Sequence, residues 1–402
     1  MADALVTIAD SRAAVEALRP VWEAAPAADI DSDIDYFLAV AENAEQVVSP
    51  HVVRIRRAGL PDILVVARLE NLPVRLQLAY WTFARVRLRA IVVTFGGVIG
   101  TRGAEDEALV MRELRRLQDA GAADLLLMRN VDPRGTLHDA ARRIAAGIRR
   151  AHAQPVDHLW AMSLPATLDA LLAGRSAKSR SSFRREDRLL REEFGNRLTL
   201  RRFQRPDELD ELCRDMERVS ARTYQAGLGA GFANSPMERA LVSLGLAKGR
   251  YRCWMLYAGE RPIAFWAGAA HGGTFFPGTP GFDPDHARHS IGRYTMFRMI
   301  EDLCADPAVS RIDFGRGDAQ YKTEYAAVTR QATDVWLAAR RPWPVAVVGL
   351  LSLAGLANRH GRRWSESLDL SRRLKALWRR RLAGRSQNRA AAPLSDVSHT
   401  PD

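Results

Sequence analysis

One succession of patterns occurs twice in this chain and constrains its fold more than any single motif does. In the first half, periodicity predicts helices near 11–26 and 32–45, a hairpin "VVRIRRAGLPDILVVAR" (52–68) and an apolar strand "AIVVTFGG" (90–97). A helix "EDEALVMRELRRLQDAG" (105–121) and a buried strand "ADLLLMRN" (123–130) follow. In the second half, helices near 165–193 and 206–226 lead to a hairpin "YRCWMLYAGERPIAFWAGAA" (251–270) and a strand "GTFFPG" (273–278). That half closes with a helix "SIGRYTMFRMIEDLC" (290–304) and a strand "SRIDFG" (310–315). Both hairpins turn on Ala-Gly followed closely by Pro, "RRAGLPDI" and "YAGERPIA". We expect a duplicated module of about 150 residues, meandering strands supplying an antiparallel part and strand–helix–strand a parallel crossover. The expected class is α/β (α+β), with two tandem modules over 1–155 and 156–340, each a mixed, mainly antiparallel central sheet flanked by helices.

A chain of 402 residues is long enough for two cores, in keeping with that division. Its three cysteines, Cys213, Cys253 and Cys304, have no CxxC spacing, which argues against a disulfide framework or a zinc site and suits a reducing cytoplasm. The first residues, "MADALVTIADSRAAVEALRP", show no basic stretch followed by an apolar run, so no signal peptide is expected there. The net charge of +12 is uneven: residues 331–402 hold 13 Lys/Arg against 5 Asp/Glu, and residues 174–205 hold 11 against 4. Such patches meet phosphates on a cofactor, a lipid headgroup or RNA, or form a solvated helix face.

Two stretches carry candidate chemistry. "GFDPDHARHSIGRYTM" (281–296) puts a polar loop at a helix start, with Ser290 as N-cap. Unpaired N–H groups there attract an anion, Gly292 permits close backbone approach, and Arg288 and Arg293 add charge. "DFGRGDAQYK" (313–322) crowds Asp313, Arg316, Asp318, Tyr321 and Lys322 around two glycines. Its DFG is not a kinase signature, since no HRD or VAIK element precedes it, and its RGD is not an adhesion signal. Asp283, Asp285, His286 and His289 resemble metal ligands but lack a further His or Cys cluster, so no metal is assigned. "AHGG" (270–273) reads as a hairpin turn in the absence of a GxSxG nucleophile, and "GLGAGF" (227–232) as a flexible acceptor-site loop.

The ordered blocks "AGERPIAF" (258–265), "GFDPDHARHSIGRYTM" (281–296) and "IDFGRGDAQYK" (312–322) resemble the GNAT acyltransferase superfamily in its CelD-type branch, associated with cellulose and exopolysaccharide biosynthesis. The resemblance is strongest over 160–330, and the duplicated module resembles the tandem arrangement of Fem-type aminoacyltransferases. It implies two GNAT-like modules, the second binding acyl-CoA. The first lacks a DFGRGDxxYK counterpart, having "LLMRNVDPRG" there, and is expected to be degenerate. The resemblance further implies acetyl-CoA, or another acyl-CoA, as donor, with Arg288, Ser290, Ile291, Gly292, Arg293 and Tyr294 as its phosphate site. The superfamily's Q/RxxGxG/A loop is here "RHSIGR", with one glycine. Thioester chemistry needs positioning, a proton acceptor and an oxyanion donor. Asp318 is the expected base or acceptor-orienting group, Tyr321 the proton donor to the thiolate, and Lys322 the holder of an acceptor phosphate or the oxyanion. Asp313 and Arg316 either bind the acceptor, a sugar or lipid-linked sugar, or pair with each other to shape the loop. Aminoacyl transfer from tRNA and a non-catalytic membrane-associated accessory role are the alternatives.

The segment "PWPVAVVGLLSLAGLAN" (342–358) is uncharged for 17 residues but interrupted by Gly and Pro, too short for a membrane span. With the cationic "SRRLKALWRRRLAGR" (371–385) it forms a helical tail (341–385) that either anchors on an anionic membrane surface or docks on the protein body. Residues 386–402 read as disordered. The expected location is the cytoplasm, with the inner membrane face as a peripheral address.

Overall fold

The structure is a computed structural model that describes residues 4–25, 29–78, 81–145, 147–223 and 231–367. The cationic stretch 371–385, the tail 386–402 and most of the glycine-rich loop 227–232 lie outside the described residues. In chain order the first half contains β1 (Leu5–Ala9), α1 (Arg12–Glu16), α2 (Arg19–Ala24), α3 (Ile34–Asn43), β2 (Val47–Pro50), β3 (Val52–Arg57), β4 (Leu60–Leu78) and β5 (Trp81–Ile99). Next come α4 (Ala104–Asp119), β6 (Leu125–Val131), α5 (Thr136–Ile144), β7 (Asp157–Ser163), α6 (Leu168–Ala173), α7 (Ala177–Phe194), β8 (Leu198–Phe203), α8 (Leu209–Arg222) and α9 (Pro236–Ala247). The remainder holds β9 (Tyr251–Ala258), β10 (Arg261–His271), β11 (Thr274–Pro277), β12 (Gly281–Phe282), α10 (Ile291–Cys304), β13 (Arg311–Arg316), α11 (Gln320–Tyr325), β14 (Ala327–Ala338) and α12 (Pro342–Ser367).

The repeated order is present. A hairpin, a further strand, a helix and a parallel return strand occur as β3–β4–β5–α4–β6 and again as β9–β10–β11–α10–β13, with β5 parallel to β6 and β11 parallel to β13. The compact units are not two consecutive halves. One comprises residues 4–163, 270–276 and 311–367, the other 164–269 and 277–310.

In the first unit the strands run β1-β3-β4-β5-β6-β14-β7-β13-β11. Both faces are covered, which explains the unbroken apolar runs in β4 and β6. Ile55, Val65, Ile91, Val93, Leu126 and Met128 face Val110, Leu114 and Ala141 of α4 and α5. On alternate positions, Val52, Leu64 and Val66 pack on Val15, Trp22 and Phe37 of α1–α3. Farther along β4 and β5, Leu72, Val74, Leu76 and Leu88 bury Val347 and Val348 of α12. At these positions the 342–358 segment is thus a helix docked on the protein body. No helix among the described residues is long and apolar enough to cross a membrane.

In the second unit β8, β9 and β10 form antiparallel neighbours and β12 pairs with β10. Phe203, Cys253, Met255 and Phe265 pack on Leu212, Met216 and Leu246 of α8 and α9. The opposite side chains Leu256, Ile263 and Ala264 pack on Leu190 and Phe194 of α7 and Ile291 of α10. The register places the start of α10 directly on that core.

Candidate functional site

In the second unit the loop into α10 is fixed by charge. Asp283, fully buried, accepts from Arg222 Nε at 3.0 Å and from Arg261, and its Oδ1 accepts the Asp285 amide at 3.1 Å. Arg222 also pairs with Asp285. His286 and His289 set their rings edge-on to Phe194, at 5.5 and 5.7 Å. Among the described residues no group of three or more His, Cys, Asp or Glu is placed to hold a metal. Ser290 takes the left-handed conformation (φ 54°) as N-cap of α10, yet its side chain makes no capping hydrogen bond, and the first turn carries no acid. The Ile291 and Gly292 amides, at the head of a 14-residue helix, lack intrahelical acceptors and carry the positive end of its dipole. Ile291 can offer only its backbone, because its side chain is fully buried. Arg288 pairs with Glu193 at 3.2 Å, and Arg293 donates to Glu186 at 2.9 Å and to Ser182 at 3.2 Å. Gly292 O accepts from Trp266 Nε1 at 2.9 Å, and Tyr294 lies under the Arg298 guanidinium, 5.3 Å from the ring centroid. The loop therefore presents backbone donors, and its two arginines are already tied to α7.

In the first unit, 313–322 forms a turn whose glycines are required. Gly315 and Gly317 have φ of 70° and 85°, a region that side chains bearing Cβ rarely adopt. Asp313 Oδ1 accepts from the Gly315 amide at 2.8 Å, so this carboxylate shapes the turn locally. Arg316 does not pair with Asp313. Its guanidinium grips Asp157 of β7 at 2.7 Å and Asp334 of β14 at 2.6 Å. Burial works against the Arg316 charge, but the two carboxylates outweigh it and raise its pKa. Lys322 is 7% exposed and donates to Arg316 O at 2.8 Å and Gly315 O at 3.4 Å, closing the turn from beneath. Burial lowers its pKa, against the pull of Asp313 and Asp318. Tyr321 packs edge-on to Phe314 with centroids 5.6 Å apart.

Asp318 differs from its neighbours because its side chain is 67% exposed. Its Oδ1 accepts from Trp160 Nε1 at 3.0 Å and lies 3.5 Å from His158 Nδ1. His158 and Trp160 alternate with buried Leu159 and Ala161 on β7, so both reach one face of the strand. Sequence reading assigned neither residue; the signal was the two-residue alternation in "DHLWAMS".

The first unit also contains a cleft of about 240 Å³ where β5 leaves β6. A slip in register, Val65 opposite Val98 but Ala67 opposite Val93, bulges Thr94–Gly97 out of β5. The helix facing it, α4, opens with Glu105, Asp106 and Glu107. Three carboxylates at a helix start repel an anion, the reverse of the acid-free start of α10.

Residues 177–323 match the family model described as "Acetyltransferase (GNAT) domain". No curated protein matches the chain. The crystal structure titled as FemX is 9% identical and aligns over 86% of this chain and 100% of that one, with a TM-score of 0.55. A conserved protein of unknown function from Bacteroides thetaiotaomicron VPI-5482 aligns over 84% of this chain and 100% of that one, 11% identical, TM-score 0.49. A tandem GNAT protein from the clavulanic acid biosynthesis pathway aligns over 84% and 99%, 11% identical, TM-score 0.48. At such identities the likeness to FemX is one of fold. The matched span takes in both the α10 start and the 313–322 turn, so residues 177–323 are similar to an acetyltransferase (GNAT) domain, and the chain as a whole shares the fold of FemX.

Proposed function

We propose that this protein moves an acyl group, most simply acetyl, from acyl-CoA to an amine or hydroxyl of a sugar or lipid-linked sugar. The setting is envelope or exopolysaccharide synthesis, as in the CelD-type branch whose motifs it resembles. The observation that carries the reading is the acetyltransferase (GNAT) match over residues 177–323. The pyrophosphate of CoA rests on the Ile291 and Gly292 amides, and Arg288, Arg293 and Tyr294 border that loop. No metal takes part. The acceptor lone pair attacks the thioester carbonyl, its proton passes to His158, the carbon–sulfur bond breaks, and the departing thiolate takes a proton from Tyr321. Asp318, held by Trp160, orients His158. Lys322, Arg316 and Asp313 hold the turn that presents Asp318.

The test is transfer of label from acetyl-CoA to a panel of amino sugars and polysaccharide precursors by the purified full chain. Transfer that depends on Asp318 and His158 is the expected result. Labelling from aminoacyl-tRNA without CoA binding would replace this reading with a Fem-type one. No transfer, with no rise in Tm on adding any acyl-CoA, would leave a non-catalytic accessory protein.

A further inference from the structure

The far part of the β4–β5 hairpin carries charge that no described residue of the first unit pairs. Residues 71–89 contain four arginines, Arg75, Arg85, Arg87 and Arg89, and no Asp or Glu. All four are exposed, and among the described residues none of their guanidinium groups makes a hydrogen bond or an ion pair. Their positions are fixed, because the alternate side chains Leu72, Val74, Leu76 and Leu88 are buried against α12. Arg75 stands directly opposite Arg85, and Arg87 and Arg89 continue the same face of β5. Like charges paired across strands destabilise a sheet unless an anion lies over them. At the tip, Leu78, Trp81 and Phe83 are 45%, 68% and 41% exposed, and the Trp81 and Phe83 rings lie 5.9 Å apart. Asn358 Nδ2 donates to Gln77 O at 3.2 Å, which brings the exposed Leu356 of α12 to the same end.

We propose that this hairpin docks on an anionic lipid bilayer, its apolar tip in the headgroup–acyl boundary and its arginines on lipid phosphates. Arginine phosphate contacts would also fit RNA. The tip decides between them: Leu78, opposite Trp81, and Leu356 add aliphatic surface to the two rings, which the bilayer interface, where tryptophan concentrates, would cover and base stacking would leave bare. This surface goes beyond the acyl-transfer reading and does not depend on it.

The experiment is flotation of the full-length protein with vesicles of phosphatidylcholine alone or of equimolar phosphatidylcholine and phosphatidylglycerol. Binding is expected only to the anionic vesicles and should weaken with salt. Arg85→Gln with Arg87→Gln should reduce it by roughly 25-fold, about fivefold per charge. Trp81→Ser should abolish the quenching of tryptophan fluorescence by brominated lipid. Arg75→Gln controls for folding, since relief of the Arg75–Arg85 repulsion should hold or raise Tm. Absence of anionic-vesicle binding overturns the proposal. So does binding unchanged by the hairpin variants, which would place the contact elsewhere in the chain. Arginine-dependent binding to bulk tRNA without vesicle binding overturns it in favour of a nucleic-acid surface.

Discussion

His158 Nδ1 lies 3.5 Å from Asp318 Oδ1, and the same oxygen accepts the Trp160 indole N–H at 3.0 Å. The two tethers come from one face of β7, so the carboxylate is oriented although it is largely exposed. If the pair handles the acceptor's proton, His158→Gln should lower kcat by about 100-fold, within the usual range for general-base loss. The KM for acyl-CoA should change little. Asp318→Asn should do comparable damage, and the double variant should be no worse than the poorer single one, because the two act as a unit.

Arg316 joins three strands through Asp157 and Asp334. Its side chain is 23% exposed, so solvent screens the pairs only in part. Arg316→Gln leaves two carboxylates facing each other and should cost about 2 kcal/mol of stability. Denaturant melts of the variant check this. Asp157→Asn should cost less, since Asp334 still answers the guanidinium.

Lys322 holds the turn's carbonyls. Replacement by Met should lower Tm and turnover together, whereas Asp318→Asn lowers turnover alone. Paired thermal melts and steady-state rates separate the two outcomes.

Burial and the nearby Asp29 push the Asp31 carboxyl up to about 7, from an ordinary value of 3.8, against the opposing pull of Arg68 and Arg129. Between those values the folded chain keeps a proton that the unfolded chain has lost, so stability falls as pH rises through that window. Asp29, raised chiefly by burial, acts in the same direction. Asp31→Asn should therefore raise Tm near pH 8 and flatten its decline from near pH 5, as followed by scanning calorimetry.

The repeated strand–helix–strand order was legible because each apolar run is buried on both faces or alternates cleanly. What escaped was contact at a distance. β7 and β14 are short or mixed in polarity, so "DHLWAMS" and "AVTRQATDVWLA" gave weak periodic signals, yet they supply His158, Trp160, Asp157 and Asp334. For the same reason the two sequence readings of Arg316, acceptor binding or a pair with its neighbour Asp313, both missed its grip on two remote strands. Helix ends were limited by local chemistry: the stretch read as 165–193 divides into α6 and α7, the second capped by Ser176 accepting from the Ser179 amide. The long hairpin was read as a strand beginning near 90, because its distal part alternates with arginine and carries no continuous apolar run. Docking of α12 was one of two readings of an uncharged segment, and only the buried Val347 and Val348 settle it there.

The central claim is that acyl-CoA binds at the start of α10. A side chain at Gly292 would meet only Phe282 at 3.4 Å, an ordinary contact, so Gly292→Asp should fold normally while placing a carboxylate where the pyrophosphate belongs. The deciding measurement is the Tm of both proteins with and without acetyl-CoA. At a ligand concentration of about 100 times Kd the wild type should gain roughly 2.7 kcal/mol and melt several degrees higher, and Gly292→Asp should not respond. An equal rise in both proteins, or none in the wild type, would contradict the account.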